Sequence, residues 1–412
     1  MPRLRPRLAL GLLLGLLPLT ACELDIADPN AATEEEALND PAGIRALAVD
    51  LQGFYATSAL QPTVLTPAIT TREAAANTTL ANLLDLEAGG TALPASNADV
   101  LRLWYRNYKT VSIAEALIEN APRVPLEAGT ESGILALAHL FKAIGLGNVA
   151  QNFEQGPPRT DEDEAVAFVS RQELFEEAIR LLEEADALLD ATPPSDRFAS
   201  DVLAPGLDLE STIGAYLARY RLFAGDYDGA LDAAAAVDRG VTSVFGFDGV
   251  SGNPLYQQFY QLEYYAARDL LGLENLDPDD QRLLFYETPA DSLSEANGYP
   301  VNIAEGFVNA FSQPFPAYLP DEMTLIEAEA NVRLGNLDDA VGLIDAVRTQ
   351  APEDDPFGVG AGLGPYDGPV TESALLDEIF LQRGAELFLQ GLRLEDARRL
   401  SQPGPDPSDP FA

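Results

Sequence analysis

Basic residues are scarce in this 412-residue chain: lysine and arginine total 25 against 66 aspartates and glutamates, and lysine occurs only at Lys109 and Lys142. Nucleic acid and anionic lipid headgroups already carry dense negative charge, so this acidic field repels both, and nucleic-acid binding is excluded. A single cysteine, Cys22, rules out an internal disulfide. With a single histidine, His139, it leaves little material for a zinc centre or a nucleophilic triad. His139 lies in the apolar stretch Ile134 to Val149 and reads as a core residue. Acidic runs at Asp161 to Glu164 and Asp277 to Asp280 lack the spacing and the glycine of a calcium-binding loop, so neither is taken as a metal site. Beyond the first residues, no stretch reads as apolar enough to span a bilayer. No cofactor and no catalytic residue is expected.

The N-terminus supplies the one job that fits Cys22. Met1 to Ala21 has an arginine-studded start, an apolar run from Leu8 to Leu19, and then Leu19-Thr20-Ala21-Cys22. This is a lipobox: small residues before a cysteine that becomes diacylglyceryl-linked and N-acylated after the leader is cut. Several acyl chains anchor a protein stably where a single one binds marginally. Removing residues 1–21 takes the formal charge from −41 to −44, because the leader holds three arginines and no acid. Residues 22–36 form an acidic tether poor in large apolar side chains, and 37–412 reads as one helical domain.

Helical periodicity dominates that domain. Asp40-Pro41 opens a helix carrying Ile44, Leu47, Leu51, Phe54 and Tyr55. Residues 58–98 show no clear period and read as irregular with short helices. Ser96 or Asn97 caps a helix with Val100, Leu103, Trp104, Tyr108 and Val111 on one stripe, and Ser170-x-x-Glu173 is a capping box opening Leu174 to Leu189. A helical hairpin is written twice. Ala218, Gly225, Ala230 and Val237 superpose on Ala328, Gly335, Ala340 and Val347 at a constant offset of 110 residues. In each copy a helix runs into Gly followed by Asp or Asn, chemistry that ends one helix and caps the next. Small residues let the two helices approach closely. The fold class is all-α, a tetratricopeptide-like scaffold of paired helices, with no alternating strand pattern.

Between the hairpin copies, residues 238–320 lose the helical period and hold 14 of the 33 aromatic residues. Loops on a rigid scaffold carry binding sites, and aromatic faces stack on sugars or peptide side chains. Phe245, Phe247, Tyr256, Phe259, Tyr260, Tyr264, Tyr265, Phe285, Tyr286 and Tyr299 are the candidates, with Tyr256, Phe259, Tyr260, Tyr264 and Tyr265 taken as the ligand-binding set.

Several motifs coincide. Cys22 with Asp28-Pro29-Asn30, the Trp104-x3-Tyr108 helix, the hairpin at Leu334-Gly335-Asn336, and Arg383-x2-Glu386-Leu387-x3-Gly391-x-Arg393-x2-Asp396-x2-Arg399 together resemble the SusD/RagB family. Gln382 and Gln390 depart from it where glutamate is frequent. On helical spacing, Arg383 with Glu386 and Arg393 with Asp396 can pair, a structural role. The resemblance implies a lipid-anchored outer-membrane protein facing the cell exterior. It would capture an oligosaccharide or peptide and act as the lid of a SusC-type TonB-dependent barrel, breaking no bond itself. A periplasmic tetratricopeptide-like scaffold for outer-membrane protein assembly is the alternative, and a two-carboxylate glycosidase comes third.

Overall fold

A computed structural model of the protein describes residues 38–161, 165–289 and 295–400. The leader, Cys22, the tether and the acids at 162–164 lie outside the described residues.

The local signals fold as the chemistry dictates. Asp40 accepts hydrogen bonds from the backbone N–H of Ala42 and Gly43 and starts α1 (Pro41–Phe54). Asn97 caps α4 (Ala98–Asn120) through Asp99 and Val100. Ser170 and Glu173 close a reciprocal capping box on α6 (Arg171–Ala191). The first hairpin is α7 (Leu209–Ala224) and α8 (Tyr227–Ala236), and the second is α9 (Pro320–Leu334) and α10 (Leu337–Thr349). Both turns use a left-handed glycine, Gly225 at φ 82° and Gly335 at φ 85°, where a side chain would strain the backbone.

These helices stack in chain order: α4 on α5 (Ala128–Asn152), α5 on α6, α6 on α7, α7 on α8, then α8 directly on α9. The 83 residues between α8 and α9 are therefore looped out of a continuous array, as the constant repeat offset requires. Arg219 on α7 crosses that joint and donates both Nε and Nη2 to the Glu322 carboxylate on α9 at 2.6 Å each. α11 (Glu372–Glu386) packs on α9, and α12 (Arg393–Leu400) returns against α11.

Four expectations change. By length and composition α5 could cross a bilayer, yet 89% of its apolar window is buried inside the body; it is the core helix of the stack. His139 on α5 is buried there, its Nδ1 2.7 Å from the Leu135 carbonyl. The segment 58–98 is not irregular throughout: α1 passes through a π turn at Tyr55–Ala59 into α2 (Leu60–Thr70). Nearly every residue of α2 is buried, so it shows no amphipathic period for the sequence to reveal. α3 (Ala81–Ala88) follows.

Strands are also present. Among the described residues β1 (Ala74–Ala76), β2 (Tyr265–Arg268), β3 (Glu287–Thr288), β4 (Glu295–Ala296) and β5 (Tyr299–Ala304) form an antiparallel sheet ordered β1-β2-β5-β3, with β4 also paired to β5. Runs of two to six residues are too short to display alternation. Finally, the two expected i,i+3 pairs of the C-terminal motif, Arg383 with Glu386 and Arg393 with Asp396, do not form, whereas Arg399 does pair with Asp396 at 2.6 Å. Left-handed Leu389 (φ 56°) and Gly391 (φ 76°) fold α12 back on α11. Arg383 then faces Asp396 at 2.9 Å, while Arg282 reaches across to Glu386 at 3.2 Å.

Two substitutions that add the same methyl group should act in opposite directions. Gly335→Ala places a side chain at φ 85° and should lower stability by about 1 kcal/mol. Gly342→Ala, mid-helix on α10 with open space around it, should raise stability by about 0.5 to 1 kcal/mol. Urea denaturation midpoints of the two variants check both signs.

Candidate functional site

A cleft of about 1150 Å³ opens where β2 runs into the turn Asp269–Gly272 and faces α11 and α12. One side is formed by Thr70, Arg72, Arg268 and Tyr299, and the other by Tyr366, Asp377 and Phe380, with Arg393 at its base. The volume suits several sugar rings or a short peptide. A second, polar void among Tyr55, Asn148, Tyr216 and Arg219 is only about 20 Å³, room for one water.

The loops that shape the cleft are unusual. Arg72, Leu270 and Leu271 all take left-handed conformations, at φ 68°, 54° and 55°. Such residues cost about 1 to 2 kcal/mol each and persist only where their surroundings impose them. Gly272 is required: a Cβ there would lie 1.9 Å from the Arg72 carbonyl oxygen, so the two loops meet backbone to backbone.

The constraint comes from behind. Arg393 donates through Nη1 to the Leu271 carbonyl at 2.7 Å and through Nη2 to the Gly384 carbonyl. Glu73, fully buried, stands 3.9 Å from Arg393, accepts from the Leu389 N–H at 2.8 Å and accepts a hydrogen bond from the Thr71 hydroxyl at 3.0 Å. Burial pushes the Glu73 carboxyl up and the Arg393 guanidinium down, and each opposes the other's shift. Glu287 accepts from the Leu270 N–H at 3.2 Å; burial raises its carboxyl to about 7 against the hydrogen bonds that favour its charge.

On the cleft wall the Arg268 guanidinium lies 3.5 Å over the Tyr299 ring, and Arg268 is itself only 9% exposed. Tyr299 is 37% exposed, which leaves ring surface for a ligand. Tyr366 is held by its N–H to Asp345 at 2.6 Å and its hydroxyl to the Pro369 carbonyl at 3.1 Å. Asp269 accepts from Asn302 at 2.9 Å, and Glu378 is paired with Arg348 at 2.5 Å.

The expected ligand-binding set does not line this cleft. Phe259 and Tyr265 are core residues, 8% and 4% exposed, and Tyr265 pairs with Ala76 in the sheet. Tyr256 and Tyr260 stack on each other with centroids 5.1 Å apart, and the Tyr260 hydroxyl donates to the Ala304 carbonyl. Tyr256, Tyr260 and Tyr264 remain half-buried. Of the other rings, Tyr286, Phe307 and Phe315 interlock with Phe388. The aromatic density of 238–320 mostly joins the main core, where Phe245 meets Tyr55 and Phe141.

Sequence reasoning missed Arg72, Arg268, Tyr366 and Phe380. The available signal was Thr70-Thr71-Arg72-Glu73, a polar break after an apolar run in a chain poor in basic residues.

No family model and no curated protein matches the chain. Solved structures do. A SusD-like carbohydrate binding protein from Bacteroides vulgatus is 16% identical, with 87% of this chain and 83% of that one covered at a TM-score of 0.65. A SusD-like carbohydrate binding protein from Bacteroides fragilis is 14% identical, covering 88% and 86% at 0.64. A SusD/RagB family protein from Bacteroides thetaiotaomicron is 17% identical, covering 86% and 86% at 0.61. The chain has the SusD-superfamily fold, helical and tetratricopeptide-like with small strands.

Glu287 gives a pH prediction. Its carboxyl is raised from an ordinary value of 4.5 to about 7 in the folded chain, so folding favours the protonated form. That contribution is complete below about pH 4.5 and is lost as pH rises through 7. Glu287→Gln stays neutral, so its stability relative to wild type should grow between pH 4.5 and 8 in urea unfolding.

Proposed function

We propose that the chain is a SusD/RagB-type lipoprotein that captures oligosaccharide in the cleft between Tyr299 and Tyr366 and delivers it to a SusC-type TonB-dependent barrel. The observation that carries this reading is a roomy cleft that combines aromatic surface with polar groups. Sugars offer CH faces to rings and paired hydroxyls to planar side chains, and Tyr299, Tyr366 and Phe380 stand beside Arg72, Asn275 and Asp377. Two fold neighbours described as carbohydrate binding proteins support the ligand class. The lipobox at Cys22 supports anchoring at the outer membrane, facing the exterior, with residues 22–36 as the tether.

Capture proceeds without bond cleavage in this reading. The carboxyls that burial raises, Glu73, Asp186, Glu287, Asp321, Asp355, Glu386 and Glu395, are not among the residues lining the cleft. Tyr256, Tyr260 and Tyr264 enter as outer contacts for a ligand long enough to leave the cleft.

The cleft residues should therefore dominate affinity. Tyr299→Ala should weaken oligosaccharide binding about tenfold or more, a loss of about 1.4 kcal/mol, while Tyr256→Ala and Tyr260→Ala change it less. Affinity electrophoresis against a glycan panel, with circular dichroism to confirm folding, decides this. Equal losses at both places, or binding of peptides alone, would contradict it. Co-purification of a barrel from gently solubilised outer membrane tests the delivery step.

A further inference from the structure

We infer that the cleft selects acidic oligosaccharides, holding the carboxylate or sulfate of one sugar residue on Arg72 together with Arg268; this rests on the capture reading above.

The arginines of this chain are in short supply and almost wholly engaged. Arg393, at the base of the cleft, is bound to two carbonyls and stands beside Glu73. Among the described residues the Arg72 side chain takes part in no hydrogen bond or ion pair, its backbone N–H alone donating to Ile69, although acids outnumber basic residues 66 to 25. Arg106 is likewise exposed with no carboxylate partner among the described residues, lying over the Phe54 ring, so what distinguishes Arg72 is its place: it lines the cleft, and its φ of 68° and the contact of its carbonyl with Gly272 fix where the side chain begins.

Arg268 adds the second observation. It is nine-tenths buried, yet its Nε has no hydrogen-bond partner, and Glu87 lies 3.6 Å away without accepting a hydrogen bond from it. A buried guanidinium with a donor left unmade and only a long ion pair to Glu87 is costly, and an anion seated on the adjoining cleft wall offsets that cost through its charge. Arg268 also backs Tyr299, so an anion at this wall adjoins a ring surface on which the sugar can rest.

The other charges refine the ligand. Asp269 is engaged by Asn302 and Glu378 by Arg348, which leaves Glu274 and Asp377 as the acids facing the remaining space. They disfavour a continuous polyanion. The fitting ligand carries its acid at one residue, with neutral sugars on either side. The net charge of −41 does not forbid this, because charges beyond about 8 Å are largely screened at physiological ionic strength.

The test is calorimetric titration of the full chain in detergent with three forms of one oligosaccharide: neutral, carrying a single glucuronate, and carrying its methyl ester. A singly sulfated form separates the two anion sources. We expect the glucuronate or the sulfated form to bind about tenfold or more tightly than the neutral and esterified forms. Arg72→Gln should abolish that preference, added salt should reduce it, and Arg45→Gln on α1 should leave it unchanged. Equal affinity of wild type for the acid and its ester would overturn acid selection and leave capture standing. Absence of binding by every form would overturn both. Because the ester comparison uses wild type, a poorly folded variant does not rescue the proposal.

Discussion

Arg393 is the point on which the cleft depends. It joins three segments far apart in the chain: its guanidinium donates to Leu271 and Gly384, and Glu73 faces it from the end of α2. All three are buried, where removing one partner of such a pair costs about 3 to 5 kcal/mol because the other charge is stranded. The left-handed run at Leu270 and Leu271 and the backbone contact between Arg72 and Gly272 exist because this anchor holds the loops together. The cleft is what remains in front of it.

Acidity shapes the same region in another way. With acids in large excess, buried arginines act as connectors: Arg219 to Glu322 across the hairpin joint, Arg282 to Asp280 and Glu386, Arg399 to Glu329 and Asp396. Each consumes a cation to fix the approach of two elements. Arg72 is outside these pairs, as Arg106 is, and is set apart by lining the cleft.

The hairpins were legible because their physics is local. A glycine that must turn left-handed, an Asp or Asn after it and an alanine stripe all lie within a few residues, and both copies carry them, although only Asp226 caps its helix through the side chain and Asn336 donates to Asn331 instead. α2 was not legible, since burial on all sides erases the period by which a helix is read. The sheet was hidden because its longest strand has six residues. The aromatic-rich stretch was visible as composition, but whether Phe259 or Tyr265 faces water is decided by the sheet and α4. The cleft was beyond local reading: Arg72 and Gly272 touch across 200 residues of chain, and the polar break at Thr70 to Glu73 does not reveal what it meets. The lipobox expected at Leu19 to Cys22 lies outside the described residues.

The most direct measurement is a crystal structure of the protein bound to an oligosaccharide. The account predicts density in the cleft, with a sugar ring against the exposed surface of Tyr299 and a polar group of the ligand on Arg72. Density confined to the Tyr256 and Tyr260 pair, with the cleft holding solvent alone, would contradict it.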